Sequence, residues 1–447
     1  MTKLLNQIML KLLPVSLIRK WGLSEIGNNQ HANNTVKQLL IDVSVISKMD
    51  AETGIQRVVR NICLEFIANP PKGYRICPIT ASITQGYQYL PIDFLSKKTL
   101  RKIESSNEPV VKISAGDLFL GLDFAAHIVP AHNAQLLNWK QQGVKFCFFV
   151  YDLLPVNEPQ WFNSKMNRNF KRWLRTVAIL ADQVITISQT VKSDFSFWMK
   201  KNYDLNENQL PCNSIQLGTD LFELHKNSSV SNELEMPNAN THNNFILMVG
   251  TIEPRKGHAE VLDAFEQLWS TGNHINLIIA GKRGWKVDGL MNRLANHQEL
   301  GRKLHWVNSP TDKALSKLYE QCYGLIMASN GEGFGLPLIE AASFNKPILV
   351  RDIPIFREIV GNHATYFSSD GVNKLTNTLS QWLLMLESKE QNKLLNPLIW
   401  ITWKESYQQL IAVLLPIDFK KSSNKKSANL GLKQARENQN ASTSTAT

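Results

Sequence analysis

Residues 324–344 read GLIMASNGEGFGLPLIEAASF, and this stretch decides the fold. Gly324 to Met327 is a short apolar run of the kind that forms a buried parallel strand. A loop over 328–336 follows, with glycines at 331, 333 and 335, and then a helix over 337–344. Gly333 and Gly335 permit positive φ and close backbone approach to a ligand. Pro337 suits the first helical position, where its missing N–H costs nothing. The unpaired amides around Phe334 to Leu336, with the helix dipole, then predict an anion site. Glu340 falls one turn inside the helix, where a carboxylate can accept from two ribose hydroxyls. Glu332, just before Gly333, is placed toward whatever is joined to that anion.

The same pattern recurs on both sides of this stretch. Strands are predicted at 245–249, 275–279, 303–307 and 347–350, and helices at 258–270, 286–297 and 311–322. Upstream, strands at 37–43, 110–113, 117–120, 146–150 and 183–187 alternate with helices at 56–68, 165–181 and 189–201. Such alternation makes a parallel sheet with helices on both faces. Residues 226–244 (KNSSVSNELEMPNANTHNN) are poor in apolar side chains and read as an interdomain linker. The expected organisation is a basic leader and linker over 1–35 and a first Rossmann-like domain over 36–225. The linker at 226–244 leads to a second such domain over 245–399. A helix over 400–417 comes next, and a disordered basic tail over 418–447.

Composition narrows the function classes. The 447 residues carry a net charge of +11, but the excess is terminal. Lys3, Lys11, Arg19 and Lys20 precede the first acid, Glu25, while Lys420, Lys421, Lys425, Lys426, Lys433 and Arg436 crowd the tail. The body is close to balanced, which argues against a nucleic-acid partner. Five scattered cysteines lack metal-ligand spacing and favour a reducing compartment. No run approaches the ~20 apolar residues of a membrane span. Residues 4–18 suit either an amphipathic helix on an anionic membrane surface or a helix docked on the protein.

The second motif is Gly250-Thr251-Ile252-Glu253-Pro254-Arg255-Lys256-Gly257, directly after a predicted strand. Adjacent cations at a strand mouth can neutralise a diphosphate and the charge that develops as it leaves. With Arg255 and Lys256 in that place, no metal is required. The histidines His127, His132, His258, His305 and His363 form no ligand-spaced set.

Glu332 and Glu340 bracketing Gly-Phe-Gly-Leu-Pro, together with Glu253-Pro254-Arg255-Lys256-Gly257, resemble the retaining glycosyltransferase family 4, of GT-B fold. Thr53-Gly54-Ile55-Gln56-Arg57-Val58, Val184–Ser188, Leu217–Asp220 and Pro354–Glu358 are similar to it too, and the likeness runs over residues 37–414. It implies two Rossmann-like domains facing across a cleft, with a C-terminal helix crossing back to the first. Glu332 would contact donor-sugar hydroxyls, and the backbone of Gly333, Phe334, Gly335 and Leu336 would hold sugar and phosphates. Glu340 would bind the ribose, Arg255 and Lys256 the diphosphate, and Gly54 would let its loop approach phosphates or acceptor. Asp152 is a candidate for acceptor binding, or else a cap before Pro155. Many relatives carry a histidine where Tyr151 stands, so a phenol replaces an imidazole there.

The implied activity is transfer of a sugar from a nucleoside-diphosphate donor to a hydroxyl of a growing glycan, with retention and without a cofactor. Likeness to bacterial polysaccharide mannosyl- and rhamnosyltransferases puts GDP-mannose first, then dTDP-rhamnose or GDP-fucose. The acceptor would be a glycan or lipid-linked glycan, met in the cytoplasm or on the inner face of the membrane. A nucleotide-sugar epimerase or hydrolase, or a non-catalytic sugar-nucleotide-binding partner, remains open on sequence alone.

Overall fold

The computed structural model describes residues 13–24, 36–50, 53–96, 109–223, 244–368, 371–388 and 398–415. Most of the leader, the linker and the basic tail therefore lie outside the described residues. In the first sheet the strands are β1 (Lys37–Asp42), β2 (Tyr74–Thr80), β3 (Gln88–Tyr89), β4 (Leu118–Gly121), β5 (Lys145–Val150), β6 (Gln183–Thr186) and β7 (Cys212–Ser214). Their order is β3-β2-β1-β4-β5-β6-β7, parallel except for β3. The second sheet has β8 (Phe245–Val249), β9 (Asn276–Ala280), β10 (Leu304–Val307), β11 (Gly324–Met327), β12 (Ile348–Arg351) and β13 (Thr365–Phe367). Its order is β10-β9-β8-β11-β12-β13, all parallel.

Around the first sheet lie α1 (Val15–Ser24), α2 (Gly54–Ala68), α3 (Asn133–Gln141), α4 (Leu154–Asn157), α5 (Ser164–Leu180) and α6 (Gln189–Tyr203). Around the second lie α7 (His258–Ser270), α8 (Asp288–Ala295), α9 (Asp312–Gln321), α10 (Leu336–Ser343), α11 (Pro354–Val360) and α12 (Val372–Glu387). Strand order reverses between β1 and β4 and between β8 and β11. Ligand crevices open at the carboxyl ends of strands at such switch points. That rule places the loops after β1, β8 and β11 at the functional cleft.

The last helix, α13 (Trp403–Leu414), crosses back to the first domain. A capping box from Thr402 and Glu405 starts it. The Tyr407 ring meets Phe66 of α2 edge-on at 5.0 Å, and Ser406 Oγ donates to the Gln216 carbonyl at 2.6 Å. Gly218 lies so close to this crossing that a Cβ there would sit 2.3 Å from the Thr402 carbonyl carbon.

Two expectations need correction. Residues 110–113 form no strand; Val110 makes one isolated bridge to Gln88. Side chains take the ladder's place, since the Lys112 carbonyl accepts from Gln38 Nε2 and the Tyr89 hydroxyl. Pro337 is the second residue of its helix, after Leu336, still within the turn whose amides lack partners. In the leader, α1 is docked rather than free over its described side chains. Val15 and Ile18 are buried in the first core, and the Arg19 guanidinium donates to the carbonyls of Ala178, Ala181 and Gln209. No described helix is long and apolar enough to cross a membrane.

Candidate active site

One cavity of about 590 Å³ lies between the two sheets. Gly54 and Asp152 line it from the first domain. From the second come Arg255, Lys256, Glu332, Gly333, Phe334, Gly335, Leu336 and Glu340. Every candidate residue read from the sequence is thus brought to one place.

At its centre is a charge cluster. Arg255 Nη1 donates to Glu332 Oε2 at 2.8 Å and to the Gly331 carbonyl at 2.7 Å, while Nη2 lies 2.6 Å from Glu253 Oε1. Lys256 pairs with Glu332 Oε1, which also accepts from Ser329 Oγ at 2.7 Å. Burial alone would raise the Glu332 pKa. The Arg255 and Lys256 charges and the bonds from Lys256 and Ser329 reverse this, holding the carboxyl at about 2. Burial pushes Lys256 below its ordinary value, with Arg255 adding to the effect and Glu332 opposing it. Burial likewise raises Asp152, against the pull of Arg255. Asp152 Oδ1 accepts from the Leu154 amide at 3.0 Å, so this side chain both holds the first amide of α4 and lines the cavity.

The glycine loop is built differently from its sequence reading. Gly335 has φ +104 and caps α10, as a residue without Cβ allows. Gly333 is not in the left-handed region; space is its constraint. A Cβ there would stand 2.0 Å from the Tyr151 carbonyl oxygen, and its own carbonyl accepts from Ser188 Oγ at 2.9 Å. Phe334, Leu336 and Ile339 are buried in a core cluster shared with β1 and α2. The loop therefore lines the cavity with its backbone and seals the domain contact with its side chains. Tyr151 does not offer its phenol to the cavity, because that hydroxyl donates to the Leu122 carbonyl at 2.6 Å.

Several site residues carried no functional reading in the sequence. Arg57, one turn into α2, reaches across to Glu340 and to Asp312 Oδ1, the latter at 2.6 Å. Tyr319 donates to the other oxygen of Glu340 at 2.7 Å. Arg57 stood in the Thr53–Val58 motif that carries the resemblance, but no role was read for it there.

His258 opens α7 beside the cluster. It is 2% exposed, and neither ring nitrogen has a partner among the described residues. Burial, then the Lys256 charge, push its pKa down to about 3. Below pH 6.5 the unfolded chain binds a proton that the folded chain refuses, so stability falls as pH drops toward 3. At pH 5 the expected loss is about 2 kcal/mol relative to pH 7. His258→Leu should remove that part of the slope, as urea titrations at the two pH values would register.

Residues 231–394 match the family model described as Glycosyl transferases group 1. Over 409 residues, 91% of this chain, the sequence is 36% identical to the serotype-specific mannosyltransferase WbdA of Escherichia coli, covering 48% of that protein. It is 26% identical over 224 residues to the O-antigen chain mannosyltransferase RfbU of Salmonella typhimurium, 49% of this chain and 56% of that one. The chain spans about half the length of the first curated relatives it matches. Among solved structures, Anabaena Alr3699/HepE in complex with UDP and glucose superposes with a TM-score of 0.56 at 16% identity, over 85% of this chain and 99% of that one. A glycosyltransferase from Rickettsia africae gives 0.52 at 15% identity, over 85% and 98%. At such identity these two speak to the fold alone, two facing Rossmann-like domains of the GT-B kind.

Proposed function

The chain carries a glycosyl transferases group 1 domain on a GT-B fold and resembles bacterial polysaccharide mannosyltransferases; from this premise we propose that it transfers mannose from a nucleoside-diphosphate donor to a hydroxyl of a growing glycan, with retention. The observation that carries the reading is the cavity itself. It gathers an acid pair, a cation pair and a glycine-capped helix start from one domain, and Asp152 and Gly54 from the other. Fold alone would not distinguish a transferase from a binding protein.

In this reading the second domain holds the donor. Glu340 takes the ribose, the start of α10 faces phosphate, and Lys256 with Arg255 stabilises charge as the diphosphate leaves. Front-face attack suits the cluster better than a covalent intermediate on Glu332. Both Glu332 oxygens are held by cations and a hydroxyl, which leaves a poor nucleophile. The departing phosphate oxygen then takes the acceptor's proton. No resident cofactor or metal enters this scheme. The named mannosyltransferases support mannose as the sugar, with GDP-mannose the donor of choice. We place the reaction on the cytoplasmic side, with the glycan or lipid-linked glycan acceptor presented at the inner membrane face. Five free, buried cysteines fit a reducing compartment.

A panel of GDP-, UDP-, dTDP- and ADP-sugars tests the donor site by thermal shift. Donor at a hundred times its Kd should stabilise by about 2.7 kcal/mol. GDP-mannose should shift the protein and Glu340→Ala should lose the shift. Turnover of donor without acceptor would mean an epimerase or hydrolase instead, and binding without any turnover a non-catalytic partner.

A further inference from the structure

The polar half of the cavity accounts for a nucleotide-sugar, but the aromatic side chains of its first-domain wall have no part in that account. Phe124 and Phe162 line this wall, and Trp285 faces them from the second domain. Phe124 is backed by Phe170 and Trp173, with ring centroids 5.7 and 5.6 Å away. Phe162 and Trp285 lie 5.9 Å apart with their planes tilted by 31°. Trp285 is 38% exposed, so part of its ring surface is open to a ligand.

We infer that Phe162 and Trp285 form an acceptor subsite that stacks a pyranose ring of the glycan, an inference resting on the transferase reading above. The indole is held in place by its edge. Its N–H donates to the Trp161 carbonyl at 2.9 Å, so its one polar group is spent on the protein. Lys286 next to it donates to the carbonyls of Gln160 and Phe162 at 3.0 and 2.8 Å. It does so from a left-handed backbone with φ +55, a conformation that costs energy in a residue with a Cβ. The two loops are thus fastened to each other around the ring pair. What the pair offers a ligand is ring surface, bordered by main-chain carbonyls and an ammonium group.

A pyranose matches that arrangement. Its C–H faces are apolar and its hydroxyls project at the edges, so a ring stacked on carbon can reach a polar border. An alkyl chain would match the rings and leave the border unused. Position agrees with chemistry, because both rings line the same cavity as the groups assigned to the donor, and Phe162 does so from the first domain. One ring from each domain also means that the subsite is complete only when the domains are together.

Steady-state kinetics with GDP-mannose and a soluble manno-oligosaccharide acceptor, free of any lipid, test the inference. Trp285→Ala and Phe162→Ala should each raise the acceptor KM about tenfold, while the donor KM stays within about twofold. Trp285→Phe, which keeps a ring, should restore most of the loss. An unchanged acceptor KM overturns the proposal. So does an equal rise in donor KM, which would make the pair a domain clasp, or an effect confined to acceptors bearing an alkyl tail. Wild-type protein inert toward every nucleotide sugar would be a different failure, that of the transferase reading itself.

Discussion

Glu332→Gln is expected to lower kcat/KM for transfer by about 10²–10³-fold, the cost of removing one preorganised electrostatic group. It should also destabilise the fold by about 3–5 kcal/mol, the usual result of breaking a buried ion pair from one side. The carboxylate serves two cations at once, and their positions show how unevenly they depend on it. Arg255 keeps Glu253 at 2.6 Å after the substitution. Lys256 has no other carboxylate contact among the described residues, so it would be left as a buried charge. Glutamine preserves the volume and an acceptor for Ser329, which confines the change to charge.

Two further measurements separate the structural role from the catalytic one. Replacing the pair together, Glu332→Gln with Lys256→Met, should recover most of the lost stability, since a buried pair exchanged for neutral groups is often close to neutral overall. Turnover should not recover, because Lys256, one of the two cations that meet donor charge, is gone along with Glu332. The acid side gives an independent check. The Glu332 pKa lies below its unfolded value, so its stabilisation is complete above pH 4.5 and is lost as pH falls toward 2. Urea titrations of Glu332→Gln should lack that loss. Full stability and full turnover in Glu332→Gln would sink both roles.

The second domain was legible because buried parallel strands appear as unbroken apolar runs separated by glycine loops. The strands over 245–249 and 324–327 and the helix over 258–270 have the bounds that the sequence suggests. Strand β2 was not legible. Pro78 stands inside it, and a proline argues against a strand unless its missing donor is not required. The helices over 133–141, 354–360 and 372–387 went unread as well. In the site, charged motifs and glycine loops could be read because their chemistry is local. The reason for Gly333 could not, because the atom that crowds it, the Tyr151 carbonyl oxygen, is 182 positions away and in the other domain. Nor could the fate of the Tyr151 phenol, which depends on the Leu122 carbonyl.

Arg57 is the residue that local reading misses most completely, and Arg57→Ala should reveal how the two domains act together. Both oxygens of Glu340 are engaged, one by Arg57 from the first domain and one by Tyr319 from the second. Glu340 is 1% exposed, so its charge depends on these partners. The other arm of the fork is different in kind. Asp312 is exposed, and an ion pair of that sort contributes about 0–1 kcal/mol. Asp312→Ala should therefore change little. Arg57→Ala should loosen the contact between domains, because parting them lets water reach Glu340 in place of the guanidinium. Apart from Gly54, whose loop approaches phosphates or acceptor, the groups assigned to the donor belong to the second domain, so the Kd for GDP should stay within a few-fold. The acceptor side belongs largely to the first domain, so kcat/KM for transfer should fall about a hundredfold as alignment is lost. Small-angle scattering should show a larger radius of gyration for Arg57→Ala. Arg57→Lys, which keeps the charge without the fork, should fall between the two. If Arg57→Ala scatters and turns over like the wild type, the contact with Glu340 is incidental to closure. If GDP binding collapses instead, Arg57 belongs to the donor site itself, and the division of labour between the domains has to be redrawn.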